Sequence, residues 1–142
     1  WNDKLLFGTN QTDLIEAAGG LKEGCEKVIS GGPMMGFAMY TTDTPITKTS
    51  SSILCMSKDE VSACEPTACI NCGRCVDACP SRIIPSRLAD FAERHDEEAF
   101  LKFNGLECVE CGSCSYVCPA KRQLKQAIGS MRKTALANKK KK

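Results

Sequence analysis

Residues 69–80 read CINCGRCVDACP, and residues 108–119 read CVECGSCSYVCP. In each run the first three cysteines follow a Cys-x-x-Cys-x-x-Cys spacing, a fourth stands one residue further off, and a proline comes directly behind it. Cys69, Cys72, Cys75 and Cys79 recur as Cys108, Cys111, Cys114 and Cys118, with Gly73 and Gly112 after the second cysteine each time. Eight cysteines in register make an internal repeat, and a repeat governs how the rest of the chain is read.

The chain has 142 residues, enough for one domain or two small modules. Hydrophobic residues make up 42%, a globular composition, but aromatics are only 6% and 11 residues are cysteine. So thin an aromatic core with so many thiols points to metal or disulfides as added support. Cysteines this close in sequence are poorly placed to pair with each other, and their total is odd. The opening WNDKLLFGTN is charged and polar rather than a secretory leader. Thiolate ligation in a reducing compartment fits better than a secreted disulfide scaffold. A start at Trp1 rather than Met reads as a fragment or a processed form.

No apolar run approaches the roughly 18 residues that a bilayer span requires. The longest, VISGGPMMGFAMY, is broken by Gly31, Gly32 and Pro33, so no transmembrane segment is expected. The formal charge of +2 counts every thiol as neutral. Eight thiolates around two 4Fe–4S cores would bring it to about −2, which gives no support for a nucleic-acid partner.

The chain divides near residue 65. Before it, Thr12 or Asp13 is expected to cap a short helix through Leu14, Ile15 and Ala18, closed by Gly19-Gly20. KVIS (27–30) and SILCM (52–56) read as strands, and GGPMMG (31–36) as a turn. After residue 65 the pattern becomes helical. Pro85 suits a first helical turn, with Leu88, Phe91 and Ala92 on one face. A second helix starts at Asp96, buries Ala99, Phe100 and Phe103, and ends at Asn104-Gly105. Leu124, Ala127, Ile128, Met131 and Ala135 mark a longer amphipathic helix that dissolves into NKKKK. The fold class expected is α+β: a module and linker over 1–64, a helical domain over 65–137, and a disordered basic tail over 138–142.

A zinc site usually takes two separated Cys-x-x-Cys pairs. Three cysteines in one tight loop suit a cubane better, because short steps wrap one face and leave one iron to be ligated from elsewhere. Glycine at 73 and 112 lets backbone amides approach sulfide. In runs of this spacing the fourth cysteine ligates the other cluster. The expected sets are Cys69, Cys72 and Cys75 with Cys118, and Cys108, Cys111 and Cys114 with Cys79. Two structural zinc sites are the alternative. Cys25, Cys55 and Cys64 are left over and read as small buried hydrophobes, with Cys64 closest to the first run. His95, in ERHDEE, reads as part of a solvated helix face. GGPMMG is not GxGxxG and reads as a tight turn with two packing methionines. No Ser/His/Asp or paired-carboxylate constellation is present, so no catalytic residue is assigned.

The order GGPMMG, PITK (45–48) and two such runs across a helical spacer resembles the C subunit of the Rnf complex. ECGSCSYVCPAKR (110–122) is especially similar to the second motif of that family. The complex is a membrane-associated ferredoxin:NAD+ oxidoreductase that couples electron transfer to ion pumping. Its C subunit has a flavin- and NADH-binding domain, a β-grasp (SLBB) domain and an α-helical ferredoxin domain. The resemblance implies that residues 1 to about 40 are the end of a partial β-grasp module, and that 65–137 are the ferredoxin part. The long spacer resembles the helical ferredoxins of succinate dehydrogenase and heterodisulfide reductase. The resemblance further implies two 4Fe–4S clusters on the eight repeated cysteines, and electron transfer through them. The implied partners are other Rnf-type membrane subunits and a ferredoxin-like donor. The implied location is peripheral, on the cytoplasmic side of the cell membrane. FMN and NADH are expected only in an upstream domain that this sequence does not match. The related cobalamin reductase of propanediol-utilising bacteria shares the architecture and is the alternative family.

Overall fold

A computed structural model describes residues 8–59 and 63–140. It divides into two compact units, Trp1–Ala63 and Cys64–Lys142.

In the first unit, helix α1 (Gln11–Ala17) is capped by Asn10, whose side chain accepts from the Thr12 N–H at 3.0 Å. The cap therefore lies before the two residues expected from sequence. Asn10 has the extended backbone a cap needs, while the Thr12 hydroxyl bonds sideways to Thr42 (3.0 Å). Gly19 and Gly20 close the helix with positive φ, and the Gly20 N–H returns to the Ile15 carbonyl at 2.8 Å. Strands β1 (Lys27–Ser30), β2 (Phe37–Ala38) and β3 (Ile53–Met56) form an antiparallel sheet ordered β2-β1-β3. GGPMMG is the turn into β2, closed by the Gly36 N–H on the Gly32 carbonyl (2.8 Å). Its methionines are not buried, as a packing role would require: Met34 and Met35 are exposed. Strand β2 has two residues, both exposed, too few for alternation to register in sequence.

The second unit is helical: α2 (Arg74–Asp77), α3 (Pro85–Glu93), α4 (Glu97–Lys102), a 3-10 turn (Gly105–Glu107), α5 (Ser113–Tyr116) and α6 (Leu124–Lys140). The sequence repeat is a repeat of backbone conformation. Asn71 and Glu110 both take φ +54°, Gly73 and Gly112 take +78° and +84°, and Arg82 and Lys121 take +52° and +53°. The two glycines stand immediately before the four-residue helices α2 and α5. Pro85 and Leu124, each six residues after a fourth cysteine, open α3 and α6 and are both buried.

Helices α3 and α6 pack on each other, and Leu88, Phe100 and Ile128 are fully buried in the core they share with α4. Cys114 belongs to this core, with Cys75, Cys79, Cys108 and Cys118 packed against it. Asp96 caps α4 as expected, accepting from the Ala99 N–H at 2.9 Å. Phe103, expected inside, is 42% exposed and packs against Phe91 with ring centroids 5.1 Å apart and the rings tilted by 51°. His95 is exposed but sits in the turn between α3 and α4, at φ +56°, rather than on a helix face. The tail reading over 138–142 also changes. Residues 138–140 continue α6, where Asn138 Nδ2 donates to Glu97 Oε2 (2.7 Å), and 141–142 lie outside the described residues.

Gly105 shows how tightly this core is closed. A Cβ there would lie 2.3 Å from Phe100 Cε1 and 2.5 Å from Cδ1 and Cζ. The ring is fully buried and has nowhere to retreat. Gly105→Ala is expected to destabilise the helical unit by about 1–3 kcal/mol, read from the denaturant midpoint of the helical signal. An unchanged midpoint would mean the ring can move.

Candidate metal centres

Each repeat builds the same loop from the same local bonds. Gly73 O accepts from Val76 N (2.8 Å) and Asp77 N (3.2 Å), and Gly112 O accepts from Ser115 N and Tyr116 N (both 3.1 Å). Cys79 N then bonds to Val76 O (3.1 Å) and Cys118 N to Ser115 O (3.3 Å), fixing the fourth cysteine at the end of the short helix. The turn after it closes through Arg82 N on Cys79 O (3.1 Å) and Lys121 N on Cys118 O (3.2 Å). Left-handed backbone at Glu110, Arg82 and Lys121 is strained for residues with a Cβ, so the loop shape is imposed by its surroundings.

Two cavities result. The first, about 120 Å³, is bordered by Cys69, Cys72, Cys75 and Cys118. The second, narrower at about 20 Å³, is bordered by Cys79, Cys108, Cys111 and Cys114. Each thus meets three thiols from one run and the fourth from the other. The Thr67 N–H on the Ala120 carbonyl (3.0 Å) ties the start of the first run to the end of the second. Among the described residues no three His, Cys, Asp or Glu side chains are gathered as ligands of one metal ion. Four thiols border each cavity.

The surroundings suit a multi-centre group with anionic sulfur. Gly73 borders the first cavity, and a Cβ on it would meet no protein atom within 4 Å. The Glu110 N–H donates to Cys108 Sγ at 3.4 Å, the kind of bond that stabilises a ligating sulfur. The Ser113 hydroxyl, 3.5 Å from Cys111 Sγ, holds that thiol below its ordinary value. Burial pushes Cys108 up, and pushes Cys114 up to about 11. A metal bound there would displace the thiol protons, so loading of the second site would depend on pH.

The two sites differ in burial. Cys69 and Cys72 are exposed, whereas Cys114 is buried and its three companions are half-buried. They also differ in charge. At the first, Arg122 is held by Asp90 and Glu93 of α3 (both 2.9 Å); burial disfavours its charge, but the two carboxylates more than offset that and raise its pKa. At the second, Glu110 is paired with Arg132 of α6 (3.2 Å). Sequence reading found none of these ion pairs, because partners 22 to 32 residues apart give no periodic signal. The remaining cysteines depart from expectation. Cys55 and Cys64 are exposed and Cys25 half-buried, so none is a fully buried hydrophobe, and Cys64 borders neither cavity.

Residues 68–122 match the family described as 4Fe-4S dicluster domain. The chain is 49% identical over 128 residues to the C subunit of the proton-translocating ferredoxin:NAD(+) oxidoreductase complex of Clostridium ljungdahlii, covering 89% of this chain and 28% of that protein. It is 40% identical over 138 residues to the Na(+)-translocating counterpart of Acetobacterium woodii, covering 97% of this chain and 31% of that protein. It is 47% identical over 122 residues to the C subunit of the ion-translocating oxidoreductase complex of Methanosarcina acetivorans, covering 86% and 27% respectively. The chain therefore spans less than a third of the length of these relatives. Among the described residues no helix is long and apolar enough to cross a membrane.

Proposed function

We propose that this chain, which corresponds to a segment of the C subunit of Rnf-type ion-translocating oxidoreductases, carries electrons through two 4Fe–4S clusters. The observation that supports this most is the pair of four-thiol cavities, each drawing three cysteines from one run and one from the other. Cys69, Cys72, Cys75 and Cys118 hold the first cluster, and Cys108, Cys111, Cys114 and Cys79 the second. A 4Fe–4S cluster held there would supply one-electron chemistry, at a potential set by hydrogen bonds to sulfur, charge and exposure.

The chain's own residues supply ligation, orientation and dielectric. Four soft thiolates suit iron–sulfur over hard cations. The Glu110 amide and the Ser113 hydroxyl stabilise negative sulfur at the second site. Crossed ligation binds the two loops to each other and keeps the centres neighbours. Two one-electron centres can join a two-electron nicotinamide reaction to a one-electron ferredoxin, the two substrates in the names of the relatives. FMN and NADH are handled outside this segment. A ferredoxin-like protein is the donor, and the other subunits of the complex hold the segment at the cytoplasmic face of the membrane. The first unit, with its small antiparallel sheet, is the remainder of an SLBB-like β-grasp module.

The test is reduction. The anaerobically purified chain should lose its visible absorption on stepwise addition of dithionite and recover it when a one-electron acceptor is added. Paramagnetic resonance should show two interacting reduced centres. A chain with full iron content that neither bleaches nor recovers would remove the electron-transfer role.

A further inference from the structure

The first unit contains two thiols that neither cavity uses. Cys25 is the last residue of a tight turn closed by its own N–H on the Lys22 carbonyl (3.2 Å), with Gly24 at φ +85° in the third position. A left-handed residue there is what such a turn requires. Cys55 lies on β3, an edge strand of the sheet, opposite Val28 of β1. The ladder continues beyond β1 through the Glu26 N–H on the Met56 carbonyl (2.9 Å), which brings the residue after Cys25 against the residue after Cys55. The two side chains border one surface cavity, together with Leu21, Lys22, Glu23 and Met56. Cys25 Sγ is half-buried and donates to the Lys27 carbonyl (3.7 Å), while Cys55 is exposed.

The thiols also affect each other. Cys55 sits above its ordinary value, first through partial burial, then through the charge of Cys25 and a hydrogen bond with it. Repulsion between neighbouring thiolates is relieved when both sulfurs join in a bond.

We propose that Cys25 and Cys55 form a redox-active dithiol, a site of reversible modification by low-molecular-weight disulfides. One of the two, as thiolate, attacks a sulfur of the small disulfide, forms a mixed disulfide and expels one small thiolate. The second loses its proton and attacks the protein sulfur of that mixed disulfide. The Cys25–Cys55 bond forms and the second small thiolate leaves. The protein gives up two electrons and two protons, and the small disulfide becomes two thiols. The product fastens the turn before β1 to the edge strand β3. The second thiol is what carries the reaction past the mixed disulfide. The inference is independent of electron transfer by the clusters.

The cluster-loaded chain, kept anaerobic, is treated with glutathione disulfide, its free thiols are alkylated, and it is cleaved after lysine. Cys25 then lies in peptide 23–27 and Cys55 in peptide 49–58. The expected product is these two peptides joined, two hydrogens lighter than their sum and separated by dithiothreitol, while cluster absorption is unchanged. Cys25→Ser and Cys55→Ser should each leave one glutathione on the remaining cysteine. Separately alkylated peptides, stable glutathione on both cysteines of the unsubstituted chain, or linkage of either to Cys64 or a repeated cysteine would overturn the proposal.

Discussion

Cys79→Ser combined with Cys111→Ser is expected to leave about four irons per chain, because both cysteines serve the same cluster when each fourth cysteine crosses over. Cys79→Ser combined with Cys75→Ser is expected to leave almost none, because those two then serve different clusters. Simple ligation, each run filling its own site, predicts the reverse for both pairs. The structure favours the crossed form because Cys79 borders the cavity of Cys108, Cys111 and Cys114 and is absent from the border of the other. Serine keeps the size of the side chain but replaces a soft sulfur with a harder oxygen. Iron and sulfide are measured per folded chain, with the helical signal confirming that α3 and α6 remain. Four irons left in the Cys79/Cys75 pair would refute the assignment.

Phe100→Ala carries the largest expected cost to folding. The ring is fully buried, among a core that includes Leu88 and Ile128, and Gly105 leaves it no slack. Removing it is expected to cost about 3–5 kcal/mol, transfer and cavity together. Small domains have about 5–15 kcal/mol in all, so this loss is a large share. Leu101, its neighbour in α4, is 42% exposed, and Leu101→Ala should stay within about 0.5 kcal/mol. Denaturation followed by the helical signal checks both. Equal effects of the two substitutions would mean that α4 does not face the core as described.

The parts legible in the sequence were those carried by spacing. The eight repeated cysteines stand out by register, and the faces of α3 and α6 by their three- and four-residue steps: Leu88 and Ala92, then Leu124, Ile128, Met131 and Ala135 all lie inside. Pro85 opens α3, and Asp96 caps α4. What stayed hidden depends on the third dimension. Phe103 resembles Phe100 in sequence but comes after α4 has ended, so it lies on the surface against Phe91. Asn10 rather than Thr12 caps α1, because Thr12 is occupied by Thr42, thirty residues away. The lysine-rich end looked structureless from composition, yet α6 extends to Lys140. The pairs that frame the sites, Arg122 with Asp90 and Glu93, and Arg132 with Glu110, become visible only when α6 is placed beside its neighbours.

The two sites repeat each other's backbone without repeating its environment. Asn71 at the first becomes Glu110 at the second, and Ile83 near the second cavity occupies the repeat position of Arg122 near the first. Loops of like backbone therefore hold their thiols at different burial and beside different charges, the variables that would separate the potentials of clusters bound there.

The most direct measurement is the iron, sulfide and zinc content of the anaerobically purified chain, with a visible spectrum before and after dithionite. Two cubane clusters require about eight irons, about eight sulfides, negligible zinc and absorption that bleaches on reduction. About two zincs per chain in a colourless protein would exclude them, and would make the eight thiols a structural scaffold.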